Sequence, residues 1–343
     1  MKVRLIPGFL FFGLIFLSCQ AKPDVVVISG NTMGTTYLIK ISDSPELNGD
    51  TAVIKSEIDS ILVQFNHVVS TYEPDSEISR FNIQKTTEPY KISDSLKLIV
   101  EKSLGVFELS NGAFDITIHP LVNLWGFGSD GPKWSPPEDY DIRAILNNIG
   151  SAGLNLDDGW LIKSNANLEM DLSAVAKGYG VDLISTYLHA KNYHNFMIEI
   201  GGEIYCSGKM SGKSWAIGIE LPQDDILSEN KFAGIISLEN KALATSGNYR
   251  NFFIKENVRY SHTIDPKTGY PVTHNVSSVS IIADDCMDAD ALATAVMVMG
   301  SDRGMKMIEL LKSVECMIIE ELTTGEFQTI YSSGFNRFIR DEK

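Results

Sequence analysis

The chain has almost no cysteine to build with. Only Cys19, Cys206, Cys286 and Cys316 occur, and no two of them form a CxxC pair. That spacing argues against a thiolate metal site or a dithiol redox motif. Beyond Cys19 three remain, an odd number, so they are not a complete disulfide framework; they read as small buried apolar residues. Positive charge is short too. Lys and Arg number 29 against 44 Asp and Glu, for a net charge of −15. Such a surface argues against nucleic acid and against broad adhesion to anionic lipid. An anionic substrate would need local cations. Long apolar runs are also missing. The run at 5–17 is interrupted by Pro7 and Gly8 and is too short for a comfortable membrane span. There is no internal repeat and no low-complexity linker. The most Pro-rich stretch, 126–137, reads as a loop.

What the N-terminus does have is a leader. Lys2 and Arg4 precede the apolar run, and Phe16-Leu17-Ser18-Cys19 ends it. This resembles a bacterial lipoprotein signal, with Phe16 where Leu is usual. The expectation is a signal peptide at 1–18, a lipidated Cys19, an anchor and short linker at 19–28, and one domain at 29–343. The alternative is ordinary secretion with cleavage near Ala21. Either way the mature chain leaves the cytoplasm.

Periodicity predicts helices at 50–69, 95–110, 137–149, 174–188 and 289–311. Ile54, Ile58, Ile61, Phe65 and Val68 carry the first of these. Strands are expected at 160–163 and 167–172, as a pair. Further strands are expected at 196–200, 203–209, 215–220, 234–238, 242–245, 251–255, 279–283, 315–320 and 327–331. Helices gather in the first half and strands in the second, with one late helix. The fold class expected is therefore α+β, one large domain with a mostly antiparallel sheet.

Six segments look over-specified for scaffold. Within 289–299, Asp290 and Thr294 lie four residues apart among small apolar residues, so they share one helical face. A carboxylate there is partly buried and needs a partner. Two hard oxygens on one face suit Mg²⁺; a helix-start acid with a back-bonded Thr is the plainer alternative. Asp284, Asp285, Asp288 and Asp290 crowd the helix start, and a bound cation would ease their repulsion. MGTTY at 33–37 is a small polar turn feeding a strand. STYEPDSEISRFN at 70–82 is polar but holds Tyr72, which can stack on a planar ring or tuck onto the domain. NGAFDIT at 111–117 places small Ala113 where a ligand can approach backbone, and Asp115 where it can hold a turn. In EMDLSAVAKGYG at 169–180 a strand runs into a helix. Lys177 stands in the first helical turn, against the macrodipole, and a phosphate would compensate it. SHTIDPKTGYP at 261–271 contains a tight turn after His262, which could transfer a proton, contact a ligand or serve structure alone.

In this order the segments resemble the ApbE family, the FAD:protein FMN transferases, over most of the mature chain. The resemblance implies a reaction: FAD is split at its pyrophosphate, FMN passes to a Thr or Ser hydroxyl of a target protein, AMP leaves, and Mg²⁺ is required. It implies Mg²⁺ ligands at Asp290, Thr294 and the backbone oxygen of Ala174. It implies FAD contacts at Met33, Tyr72, Ala113, Phe114, Asp115, Asp171, Lys177 and Ile264. His262 is the candidate base for the acceptor hydroxyl, and Asp288 a second-metal or supporting residue. The acceptors implied are subunits of membrane redox complexes, of the Na⁺-translocating quinone reductase or Rnf type. With the leader, this puts the protein on the periplasmic side of the inner membrane. Two rivals stand beside this: the same site as a Mg²⁺-dependent FAD pyrophosphatase using water, and a non-enzymatic flavin-binding lipoprotein.

Overall fold

The structure, a computed structural model, describes residues 25–42, 51–222, 232–249 and 251–340. The leader and Cys19 lie outside them. The described chain opens with a hairpin, β1 (Val25–Thr32) and β2 (Thr35–Ser42). Then come α1 (Thr51–Val69), α2 (Glu77–Ile83), β3 (Tyr90–Lys91), α3 (Asp94–Leu109), α4 (His119–Leu124) and α5 (Asp139–Leu146). The strands β4 (Leu154–Asp157) and β5 (Trp160–Lys163) lead to α6 (Ser173–Ala190). Eight strands follow: β6 (Phe196–Ile200), β7 (Glu203–Ser207), β8 (Trp215–Glu220), β9 (Phe232–Leu238), β10 (Lys241–Gly247), β11 (Phe252–Lys255), β12 (Val258–Ser261) and β13 (Val276–Ala283). Two helices, α7 (Cys286–Met299) and α8 (Ser301–Ile308), precede β14 (Glu315–Glu321) and β15 (Phe327–Tyr331). No helix among the described residues is long and apolar enough to cross a membrane.

Eight strands form one sheet in the order β1-β2-β6-β7-β10-β13-β14-β15, antiparallel throughout. Period-two alternation sends its side chains to two faces. Ile198, Ala244, Ile281 and Ile318 join a core with α1, α6 and α7. Met197, Leu243, Ile282 and Ile319 join a second core, closed by Trp215 and Ile217 of β8 and Ile236 and Leu238 of β9. All eight residues of β13 are buried, as a central strand covered on both faces requires. Cys206, Cys286 and Cys316 are unpaired thiols buried in these cores. The α+β expectation holds.

Several elements differ from expectation for local reasons. Residues 167–172 form no strand. Instead β5 lies between β3 and β4, and Asp158-Gly159, both at positive φ, join β4 to it as a two-residue hairpin turn demands. The late helix is two helices. Gly300, at φ +79, donates its N–H to Val296 O, ends α7 and lets α8 start in a new direction. The start of α7 is also earlier, at Cys286, because Asp285 caps it by accepting the Asp288 N–H at 2.9 Å. Within the polar segment 70–82, Ser76 caps the unexpected α2 by accepting from Ser79 N. Strand β1 begins at Val25, inside the stretch read as anchor and linker, and pairs with β2 from Val25↔Ser42 to Thr32↔Thr35.

Helices α6 and α7 approach closely at Gly178. A Cβ on Gly178 would lie 2.3 Å from Cys286 O and 2.9 Å from the Asp290 Cβ. Backbone cannot yield to such contacts cheaply, so glycine is required. We expect Gly178→Ala to lose about 2 kcal/mol in denaturant unfolding, because overpacking outweighs the roughly 1 kcal/mol that alanine gains in helix propensity. An unchanged or raised midpoint would show that the two helices can part.

Candidate active site

The helix crossing that Gly178 permits forms the floor of a cavity of about 1210 Å³. Its walls come from segments far apart in sequence. The β1–β2 turn supplies Met33 and Gly34, at φ 49 and 70. The loop after α1 supplies Tyr72, whose side chain stands out at 69 % exposure rather than tucking onto the domain. The turn after α3 supplies Ala113, Phe114 and Asp115; the turn before α6 supplies Asp171 and Ala174; the loop after β12 supplies His262 and Ile264. The floor itself carries Lys177, Asp290 and Thr294. All twelve residues expected at the site, from Met33 to Thr294, line this one cavity.

Their local roles divide. Asp115 is buried and fully engaged. It accepts from Thr117 N at 2.8 Å, Thr117 Oγ1 at 2.6 Å, Ser151 Oγ at 2.6 Å and Ser151 N at 3.1 Å, so its carboxylate holds the turn. Asp171 accepts from Ser173 N at 2.8 Å, and its other oxygen lies 3.6 Å from His119 Nδ1. Burial alone would raise its pKa, but His119 and the Ser173 contacts outweigh it and hold the carboxyl below its usual value. Asn123 Nδ2 lies 3.0 Å from His119 Nε2. An amide nitrogen only donates, so Nε2 accepts and the proton sits on Nδ1, facing Asp171.

Lys177 reaches between two carboxylates, 3.3 Å from Glu203 Oε1 and 3.7 Å from Asp290 Oδ2. Lys177 is the fifth residue of α6, one turn inside the helix rather than in its first turn, and these carboxyl groups partner its charge, so a phosphate is not needed for that. Burial would lower the Lys177 pKa, but Asp290 and Glu203 outweigh it and hold the amine charged. Burial, with Asp290 alongside, raises Glu203 above the usual carboxylate range despite the pull of Lys177. Glu203 follows Gly201-Gly202, both at positive φ, which close the β6–β7 hairpin. Its Oε2 is buried without a hydrogen-bond partner.

Asp290 is 3 % exposed and sits one turn inside α7 rather than at its start. Its Oδ2 accepts the Gly178 N–H at 3.0 Å. The regular helical acceptor for that N–H is the Ala174 carbonyl, so the carboxylate competes for the donor beside that oxygen. Thr294 Oγ1 lies 3.2 Å from Ser246 Oγ. A carboxylate, a hydroxyl and a carbonyl make a hard-oxygen donor set, and the orphaned Glu203 oxygen is a further hard donor beside it. This chemistry suits Mg²⁺ completed by water and substrate oxygens. Among the described residues no group of three or more His, Cys, Asp or Glu is placed to hold a metal.

Asp288 does not line the cavity. Its Oδ2 takes Lys102 Nζ at 2.7 Å, and the same ammonium reaches Asp285 at 3.1 Å. Lys241 pairs with Asp284. Repulsion at the helix start is eased by these lysines. His262 Nδ1 lies 3.0 Å from Asn251 O. A carbonyl only accepts, so Nδ1 carries the proton and Nε2 keeps its lone pair. Burial, with Lys177 adding to it, lowers the His262 pKa, so the ring is neutral at pH 7.

The profile of the ApbE family matches residues 33–318. The chain belongs to the ApbE family. A Vibrio cholerae relative named FAD:protein FMN transferase is 40 % identical over 327 residues, covering 95 % of this chain and 96 % of its own. The solved structure of the flavin transferase ApbE from Vibrio cholerae superposes with a TM-score of 0.84 over 92 % of this chain and all of that one, at 40 % identity. The apo flavinyl transferase ApbE of Pseudomonas stutzeri gives 0.83 at 33 % identity, covering 93 % and 98 %. Within this ApbE fold, sequence reasoning overlooked Glu203. The available signal was a Gly-Gly turn followed by a carboxylate in an otherwise apolar strand.

Proposed function

We propose that this ApbE-family chain is a Mg²⁺-dependent FAD:protein FMN transferase. The observation that carries the reading is the convergence of six separate segments on one cavity whose floor joins Asp290, Thr294 and Lys177. The names of the relatives support the same activity. FAD lies along the cavity, its ring system near Tyr72, Phe114 and Asp171 and its pyrophosphate toward Lys177 and the start of α6. Asp290, Thr294 and the Ala174 carbonyl would hold the metal. When bound, Mg²⁺ supplies charge neutralisation at the pyrophosphate.

The chain's own part is positioning, charge and proton removal, which is most of what phosphoryl transfer asks of a protein. Lys177 adds positive charge beside the phosphates. His262 Nε2 accepts the proton of the acceptor hydroxyl as its oxygen attacks the FMN phosphorus. A P–O bond to the acceptor forms, the P–O bond to AMP breaks, and AMP departs. The acceptors proposed are Thr- or Ser-bearing subunits of the Na⁺-translocating quinone reductase or Rnf type. The leader supports a lipid anchor at Cys19 and a site on the periplasmic side of the inner membrane. Incubated with FAD, Mg²⁺ and such a subunit, the protein should yield one AMP per flavinylated acceptor, read by chromatography and intact mass. AMP and free FMN with no adduct would make it a pyrophosphatase.

A further inference from the structure

Two buried carboxylates share one ammonium at the cavity floor. Glu203 and Asp290 are 3 % and 4 % exposed at their side chains, while Lys177 is 28 % exposed. The carboxylates are fixed deep in the floor, and the lysine comes to them from the cavity. One ammonium is shared between two buried carboxyl groups, 3.3 Å from Glu203 Oε1 and 3.7 Å from Asp290 Oδ2, and it cannot engage every oxygen they present. One oxygen, Glu203 Oε2, is buried with no partner although its side chain lines the cavity. A buried carboxyl oxygen left without a partner is a donor that a cation can take up.

The surroundings leave the lysine room to move. Gly201 and Gly202 form the hairpin tip over which it passes, and a Cβ on Gly201 would already lie 3.4 Å from Lys177 Cδ. A Cβ on Gly202 would meet nothing within 4 Å. The lysine stem passes Gly201, where no side chain stands against it, and its side chain keeps 28 % exposure.

We propose that Lys177 is a resident counter-ion that exchanges with the divalent cation. Its ammonium stands between Glu203 and Asp290 while the cation is absent. When the cation binds, with Glu203 facing it as a second carboxylate, the ammonium moves off toward the cavity, where substrate phosphates lie. This inference rests on the proposed metal site and adds Glu203 and the exchange to it.

The test uses the full chain and Mg²⁺ alone, without FAD. In calorimetric titration, Lys177→Met should bind Mg²⁺ about tenfold more tightly than the wild type, because the competing ion pair is gone. Glu203→Gln should bind about tenfold more weakly. In the unaltered protein, lysine acetylation read by peptide mass mapping should rise several-fold at Lys177 when Mg²⁺ is added. That second readout stands even where a variant fails to fold. Equal Mg²⁺ affinity in wild type and Lys177→Met, or Lys177 reactivity indifferent to Mg²⁺, overturns the exchange and leaves the metal site standing. No Mg²⁺ binding by wild type or variants overturns the metal site and the exchange together.

Discussion

Asp290→Asn should abolish both FMN transfer and AMP release, with a loss of about a thousandfold or more. The asparagine keeps an oxygen for the Gly178 N–H, which now bonds Asp290 Oδ2 at 3.0 Å, but removes the charge. Folding should therefore survive, and circular dichroism should show a near-native melt. Asp290→Ala should lose activity equally but also stability, since a buried Gly178 N–H left without an acceptor costs about 1–3 kcal/mol. The pair separates charge from architecture. A fully active Asp290→Asn would remove the carboxylate from any role in metal binding.

The second large effect is expected at His262. Its Nδ1 proton is held by Asn251 O, which leaves Nε2 as the acceptor. His262→Gln should lower kcat by about 100- to 1,000-fold. FAD affinity should change little, because the ring acts on the acceptor's proton. The pH dependence follows from the lowered pKa. A histidine with a depressed pKa is already neutral at pH 7, so activity should stay level through neutrality. It should fall only below the ordinary histidine range, as protonation removes the base. That acid limb should vanish in His262→Gln. A limb that persists in the variant would place the base elsewhere.

Both predictions depend on contacts that the sequence shows unevenly. The Asp290–Thr294 pair was legible because the two share one face of a helix four residues apart, a local fact. Lys177 was legible as a cation in the wrong place on a helix. Its partner Glu203 was not, because their meeting depends on the β6–β7 hairpin packing against α6, a long-range event. His119 was equally hidden. It lies 52 residues from Asp171, on a helix that no apolar period announced.

The fold shows the same division. The amphipathic α1 and the alternating β8 were readable from period alone. The β4–β5 hairpin was missed although Asp158-Gly159 is a strong two-residue turn signal, because the alternating polar and apolar residues at 167–172 competed with it. Gly300 broke the late helix although Met305, Met307 and Ile308 resume apolar residues beyond it. In each case glycine at positive φ carried the information that hydrophobicity did not.

The central claim is that FMN, not merely FAD cleavage, is the outcome. Intact-mass spectrometry of the acceptor subunit, after incubation with the protein, FAD and Mg²⁺, tests it most directly. The account predicts a gain equal to one FMN less water, on a Thr or Ser. The gain should be lost with Asp290→Asn and lost when that hydroxyl residue is changed to Val or Ala. An acceptor of unchanged mass beside accumulating AMP and free FMN would contradict it.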